Sequence, residues 1–177
     1  MKKIIFLDFD GVLNGYTPFI KRVFDIARAL HLSNFVHSVY DIFGIRFWKV
    51  FKLAIICRVT GADVVLSSSW RGAWYIPYKE ADGRAKELQK KMKFWKIPII
   101  GKTKSCNGVR GLEIKTYLEE NPIIDKFVIL DDESFDIKQY FPDNLILTSN
   151  GKIGTVYENS GLRFSHVIKA IKMLGRK

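Results

Sequence analysis

Two carboxylates one residue apart, Asp8 and Asp10, follow directly on the apolar run Ile4-Ile5-Phe6-Leu7 and precede Gly11. Four consecutive apolar residues, two of them isoleucine, read as a buried strand. Residues two apart on a strand share a side, so both carboxylates can face one point beyond the strand's end. Burying an unpaired charge is very costly. A hard divalent cation such as Mg²⁺, which takes oxygen ligands, would neutralise the pair. Gly11 lets the backbone turn away sharply. An ordinary junction with solvent-facing acids would have the same composition, so the motif gains meaning only from its partners.

Three further places supply them. Lys126-Phe127-Val128-Ile129-Leu130 reads as a strand running into Asp131-Asp132-Glu133-Ser134, with Asp136 following. It is a second buried strand that stops on acids. Asp63-Val64-Val65-Leu66 reads as a strand ending in Ser67-Ser68-Ser69-Trp70-Arg71. Small hydroxyls at a strand exit, with backbone N–H groups, can donate to a phosphate oxygen. Arg110 falls in the first turn of a helix over 109–120, where the helix dipole disfavours a cation. That placement points to an anion outside the helix.

The elements that must position these residues alternate between strand and helix. Thr17-Pro18 opens a helix along Phe19, Ile20, Val23, Phe24, Ala27 and Leu30, and a short second helix covers 35–43. A third runs from Ile45 to Thr60 and stops at Gly61. Residues 73–78 form an aromatic loop, and 79–95 form a helix with one heavily basic face. Ile97 to Ile100 form an edge strand, given Pro98, and a basic loop covers 101–108. The 109–120 helix turns Leu112, Tyr117 and Leu118 inward. A strand over 144–148 closes at Ser149-Asn150-Gly151. Ser165 caps a last helix, with Val167, Ile168, Ile171 and Leu174 inward and Gly175 at its end. The aromatics Phe19, Phe24, Phe35, Tyr40, Phe43, Phe47, Trp48 and Phe51 fall at helical spacing and are expected in the core. The alternation predicts an α/β fold with a doubly wound parallel sheet. Such sheets bind ligands beyond the carboxyl ends of their strands. Asp8, Asp10, Ser67, Asp131 and Asp132 all lie at such ends, supplying a nucleophile, a proton-transfer group, a phosphate donor and metal ligands.

At 177 residues, 47% hydrophobic and 27% charged, the chain is expected to form one domain spanning 1–177 and not a disordered segment. Its net charge of +11 is confined to two blocks. Residues 15–60 hold seven Lys/Arg against two Asp/Glu, and residues 79–104 hold nine against three. Both blocks flank the candidate catalytic segments, which favours an anionic, polymeric ligand such as nucleic acid. A basic surface that merely keeps the chain soluble is the alternative. Cys57 and Cys106 suggest neither a disulfide framework nor a metal site. With no signal-peptide pattern and no apolar run of bilayer length, a cytoplasmic location off the membrane is expected.

Taken together, these segments resemble the haloacid dehalogenase-like (HAD) phosphohydrolase superfamily over nearly the whole chain. Its first motif is matched by Leu7-Asp8-Phe9-Asp10-Gly11-Val12-Leu13, its second by Val64-Val65-Leu66-Ser67 and its fourth by Val128-Ile129-Leu130-Asp131-Asp132. For the third, a basic residue, Arg110 is the choice, with Lys102, Lys104 and Lys115 as rivals. Ser67 to Arg71, Gly101-Lys102-Thr103, Arg110-Gly111-Leu112-Glu113-Ile114 and Gly161-Leu162 are similar to the HAD domains of Swiss-Army-knife RNA repair proteins. The resemblance implies a Rossmann-like fold and an Mg²⁺-dependent phosphatase acting on nucleic-acid ends or nucleotides.

It further implies that Asp8 attacks phosphorus to give an aspartyl-phosphate, while Asp10 acts as general acid and then general base. Mg²⁺ would be held by Asp8, the Asp10 region and Asp132, with Asp131 orienting the set and Asp136 behind it. Ser67, Ser68 and Arg110 would bind the phosphate oxygens. The stretch between Asn14 and the second strand leaves room for at most a small helical cap insert, within 15–44, so a fairly open site is expected. A small-metabolite phosphatase and a catalytically silent nucleic-acid-binding module are the rival readings. A receiver-type domain also uses acidic strand ends, but its acceptor would end a later strand, and the second strand here ends in serine. No kinase or ligase partner can be named from the residues.

Overall fold

The computed structural model describes residues 1–14, 26, 29–31, 45–134, 136–149 and 161–177. The two helices expected over 17–30 and 35–43, the insert within 15–44 and the Asn150-Gly151 turn lie essentially outside them. Five strands, β1 (Lys2–Leu7), β2 (Asp63–Leu66), β3 (Ile99–Lys102), β4 (Ile124–Asp131) and β5 (Leu145–Leu147), form one sheet in the order β3-β2-β1-β4-β5. Every neighbouring pair is parallel. The helices are α1 (Phe47–Thr60), α2 (Gly83–Phe94), α3 (Arg110–Glu120), α4 (Ile137–Tyr140) and α5 (Phe164–Leu174), with a 3₁₀ turn at Ser69–Gly72. This is the expected doubly wound α/β fold, with β1 at its centre.

The period of two along the strands sorts the core into two layers. Ile5, Leu7, Val64, Leu66, Val128 and Leu130 point to the face covered by α1, α2 and α5. Ile4, Phe6, Val65 and Ile129 point to the face where Ile114 of α3 and Ile137 of α4 pack. Strands buried on both faces read as unbroken apolar runs, which is why β1 and the second half of β4 stand out in the sequence. Lys3 is a buried exception. Its ammonium donates to the carbonyls of Thr60, Gly175 and Arg176 at 3.1, 3.0 and 2.9 Å, tying the ends of α1 and α5 to β1.

Several expectations need correcting. The basic helix starts at Gly83, not Lys79, because the Asp82 carboxylate accepts from the Ala85 N–H at 2.7 Å and caps it there. On α3, Leu112 is exposed and Ile114 is buried, since Gly111, Ile114 and Leu118 share the inward stripe. The last helix is capped at Arg163 and not at Ser165; Ile168 faces out, and Ala170 takes the buried position beside Val167 and Leu174. Among the aromatics expected in the core, Phe47 and Trp48 are exposed. They stack at the surface with Phe51, Phe94 and Trp95. Cys57 and Cys106 are free. No helix among the described residues is long and apolar enough to cross a membrane.

Candidate active site

Register places the site. Leu7 pairs with Leu66 on one side and with Leu130 on the other. The residues that follow, Asp8, Ser67 and Asp131, therefore stand side by side at the carboxyl ends of the three central strands. Two ladder bonds continue past the strands, Asp8 N–H to Leu130 O and Ser67 N–H to Leu7 O, both 3.0 Å. Asp8, Asp131 and Asp132 are all buried, and one oxygen from each lies within 4.8 Å of the others.

Arg110 reaches this cluster from the first turn of α3. Its Nη1 lies 3.0 Å from Asp8 Oδ1 and 3.0 Å from Asp131 Oδ2. The anion that offsets its unfavourable place on the helix dipole is thus supplied from inside the chain. Asp136 accepts from the Gly111 N–H and so holds the start of α3. A Cβ at Gly111 would overlap the Tyr140 ring, so glycine lets α3 approach closely enough for Arg110 to reach. The rival lysines lie elsewhere: Lys104 pairs with Glu120, Lys115 with Glu119, and Lys102 sits over the Tyr75 ring.

Asp10 does not join the three-carboxylate cluster. The N–H groups of Val12, Leu13 and Asn14 all donate to Phe9 O at 3.2, 2.9 and 3.3 Å, winding a tight turn after Asp8. Within it, Asn14 Nδ2 donates to Asp10 Oδ1 and Asn14 Oδ1 accepts from Gly11 N–H, both at 2.6 Å. Asp10 thus stands beside the cluster, half-buried and oriented by Asn14. Thr148 Oγ1 donates to Gly11 O at 2.8 Å, and Leu162 N–H donates to Val12 O at 2.9 Å, fixing the turn from β5 and the segment after it. Lys49 Nζ donates to Asn14 O at 2.6 Å. Sequence reasoning did not single out Asn14, Lys49 or Thr148; an Asn four residues after an Asp in a turn was the only available signal.

Gly11 has φ +60°, and a Cβ there would overlap Asp132 Oδ2, Cγ and Cβ. Gly11→Ala is therefore expected to push Asp132 out of the cluster. Divalent-cation affinity should fall by about 10–100-fold, read by calorimetric titration, with the fold retained.

Ser67 is fully buried and its Oγ has no hydrogen-bond partner among the described residues, while Ser68, whose hydroxyl favours the charged form of Asp8, accepts from Trp70 N–H at 3.1 Å. Behind them lies a buried polar knot that motif spacing alone did not explain. Arg71 meets Glu113 in a two-pronged ion pair at 2.6 and 3.1 Å, and Thr103 Oγ1 accepts from the same guanidinium at 3.0 Å. The knot joins the segment after β2, the exit of β3 and the helix carrying Arg110.

The electrostatics are crowded. Burial pushes Asp8 above the ordinary carboxylate range, and Arg110 opposes that shift. Burial, then the neighbouring Asp8, pushes Asp131 up strongly. Burial, then Asp8 and Glu133, raises Asp132 to about 7. One guanidinium does not offset three buried carboxylates. Asp132 Oδ2 is also buried with no hydrogen-bond partner among the described residues. An all-oxygen donor set with an orphaned acceptor and surplus negative charge suits a hard divalent cation.

A pH signature follows. Asp132, ordinarily near 3.8, binds its proton more tightly when folded. The metal-free chain should therefore lose stability as pH rises from about 4 through about 7. Between pH 5 and 7.5 in EDTA the thermal midpoint should fall by roughly 5 °C, the scale of ~2 kcal/mol in a chain of this size. Mg²⁺ at pH 7.5 should restore it, and Asp132→Asn should shrink the drop, with the remainder coming from Asp8 and Asp131, whose carboxyls burial also raises.

Residues 4–154 match the family model described as the HAD domain in Swiss Army Knife RNA repair proteins. No curated protein and no solved structure gives a match.

Proposed function

Because the chain belongs to the family of HAD domains in Swiss Army Knife RNA repair proteins, we propose that it is a phosphohydrolase that removes a terminal phosphate from a nucleic acid or nucleotide through a phosphorylated Asp8. The observation that carries this reading is what surrounds one carboxylate. Asp8 is met by Arg110 at 3.0 Å and is grouped with Asp131 and Asp132, one oxygen of each lying within 4.8 Å of the others. Beside it, the buried Ser67 hydroxyl has no hydrogen-bond partner among the described residues.

Asp8 attacks phosphorus through a carboxylate oxygen, forming a P–O bond as the bond to the leaving oxygen breaks. Asp10, at the turn's open side, protonates the leaving oxygen. It then takes a proton from the water that attacks the aspartyl-phosphate, which releases inorganic phosphate and regenerates Asp8. Asn14 holds the Asp10 carboxylate through both roles. Ser67 Oγ and the Arg110 guanidinium donate to the non-bridging oxygens, where placed donors supply most of the stabilisation in phosphoryl transfer. Asp8, the Asp10 region and Asp132 would hold Mg²⁺, which offsets repulsion between carboxylate and phosphate when bound. Asp131, fixed by Arg110 and by Glu133 N–H at 3.0 Å, orients the set.

The test is phosphate release from oligonucleotides phosphorylated at either end and from a small chromogenic ester, with Mg²⁺ and with EDTA. Mg²⁺-dependent release from one oligonucleotide end, weakening as salt rises, is expected. Release from the ester alone would make the chain a small-metabolite phosphatase. Tight oligonucleotide binding with no turnover would make it a binding module.

A further inference from the structure

The turn-rich segment after Ser67 makes a surface that the chemistry above does not use. Trp70 packs its ring on Phe9, the residue between the two aspartates, at 6.4 Å between centroids. The segment then presents Tyr75 and Tyr78, which are 48% and 50% exposed. Lysines sit against these rings: Lys102 Nζ lies 4.8 Å from the Tyr75 centroid, and Lys93 Nζ lies 6.0 Å from that of Tyr78. Neither lysine has a carboxylate partner among the described residues.

The surface is built, although it carries no regular strand or α-helix. Gln89, buried on α2, donates from its Nε2 to the carbonyls of Ala73, Trp74 and Ile76 at 3.0, 3.3 and 2.8 Å. One amide thus gathers three carbonyls and holds the aromatic turn in a fixed shape. Register fixes its place relative to the site. Lys102 pairs with Leu66, and Leu66 pairs with Leu7, the residue before Asp8. Lys102 therefore lies on the row of Leu7, one residue before the proposed nucleophile, about 10 Å from Leu7 across two strand spacings.

We propose that Tyr75 and Tyr78, with Lys102 and Lys93, form a platform on which the first bases behind the terminal phosphate of a single-stranded nucleic acid stack. The proposal rests on the phosphohydrolase reading of the Asp8 site and names how its polymeric substrate is held. Half-open tyrosine faces suit unpaired bases, which stack on aromatic side chains whatever their sequence. The unpaired lysines suit the backbone phosphates between those bases. The block of excess positive charge over 79–104 thereby gains a specific site of action. A double-stranded end keeps its bases stacked on each other and gains nothing from the tyrosines.

The experiment measures binding and turnover separately. Anisotropy titration of a short fluorescent single-stranded oligonucleotide with a terminal phosphate gives Kd for the wild-type chain and for Tyr75→Ala, Tyr75→Phe and Lys102→Gln. Turnover of the chromogenic ester is measured in parallel. Tyr75→Ala and Lys102→Gln are expected to raise Kd about ten-fold, with Tyr75→Phe close to wild type and ester turnover unchanged in all three. Gln89→Leu, which frees the turn's carbonyls, should raise Kd as well. Unchanged Kd in Tyr75→Ala, or an equal loss of ester turnover, would overturn the platform. Phosphate released from the oligonucleotide with Kd insensitive to Tyr75 would sink the platform and leave the phosphohydrolase standing. A Tyr75-dependent Kd with no turnover of any substrate would keep the platform and remove the phosphohydrolase.

Discussion

Asp8→Asn should lower phosphate release by about 10⁵-fold or more, the scale of losing a nucleophile. The substitution keeps the shape of the side chain and removes the attacking oxygen's charge. Its structural effect should have the opposite sign from its catalytic one. Asp8 sits with Asp131 and Asp132 in a buried cluster whose oxygens lie within 4.8 Å of each other. Burial already penalises its ionised form. Removing one of three crowded charges should hold or raise the thermal midpoint in EDTA. A chain that loses turnover and stability together would have been damaged by misfolding, and Asp8 would lose its assigned role. The two readouts, phosphate release and a melt, are made on the same preparation.

Arg110→Ala should be the most damaging single change to the fold around the site. The guanidinium is the only cation bonded to Asp8 and Asp131 among the described residues, at 3.0 Å to each. Burial opposes its charge, but Asp131 and Asp8 more than offset that, so its pKa lies above the ordinary value. Its removal leaves two buried carboxylates without a counter-ion, a change that typically costs about 3–5 kcal/mol. In a chain of this size that is a fall of roughly 10 °C or more. Turnover should drop by about 10³-fold, since a donor to the phosphate oxygens is lost as well. The double variant Asp8→Asn/Arg110→Ala separates these effects. With one carboxylate neutralised, the second substitution should cost markedly less than it does alone. Additive costs would mean that Arg110 does not pair with Asp8 in solution.

The strand tips were legible because a buried strand cannot end on acids or hydroxyls without a reason. Asp8, Ser67 and Asp131 each follow an apolar run, and the register of β1 with β2 and β4 brings them together. Arg110 was legible for a different reason, as a cation placed against its helix dipole. What stayed hidden depends on contacts between residues far apart in sequence. Glu113 reads as an ordinary surface acid on an amphipathic helix until Arg71, 42 positions earlier, is seen to close on it. Leu112 reads as inward from its apolar side chain, yet the close approach permitted by Gly111 sets the helix face and turns Leu112 out. Asp82 carries a cap signal, but Lys79, Glu80 and Ala81 before it have good helical propensity and mask the break. Phe47 and Trp48 fall at helical spacing, which places them on a face without saying what covers that face.

The central claim is that Asp8 carries the phosphoryl group in turnover. It is tested most directly by mixing the chain with an oligonucleotide bearing a radiolabelled terminal phosphate and quenching in acid within one turnover. The label retained on the precipitated protein is then counted. Label that is retained, released by hydroxylamine as an acyl phosphate should be, and absent from Asp8→Asn is the predicted result. Full phosphate release with no label on the protein at any quench time would contradict it, and water would then attack the substrate directly.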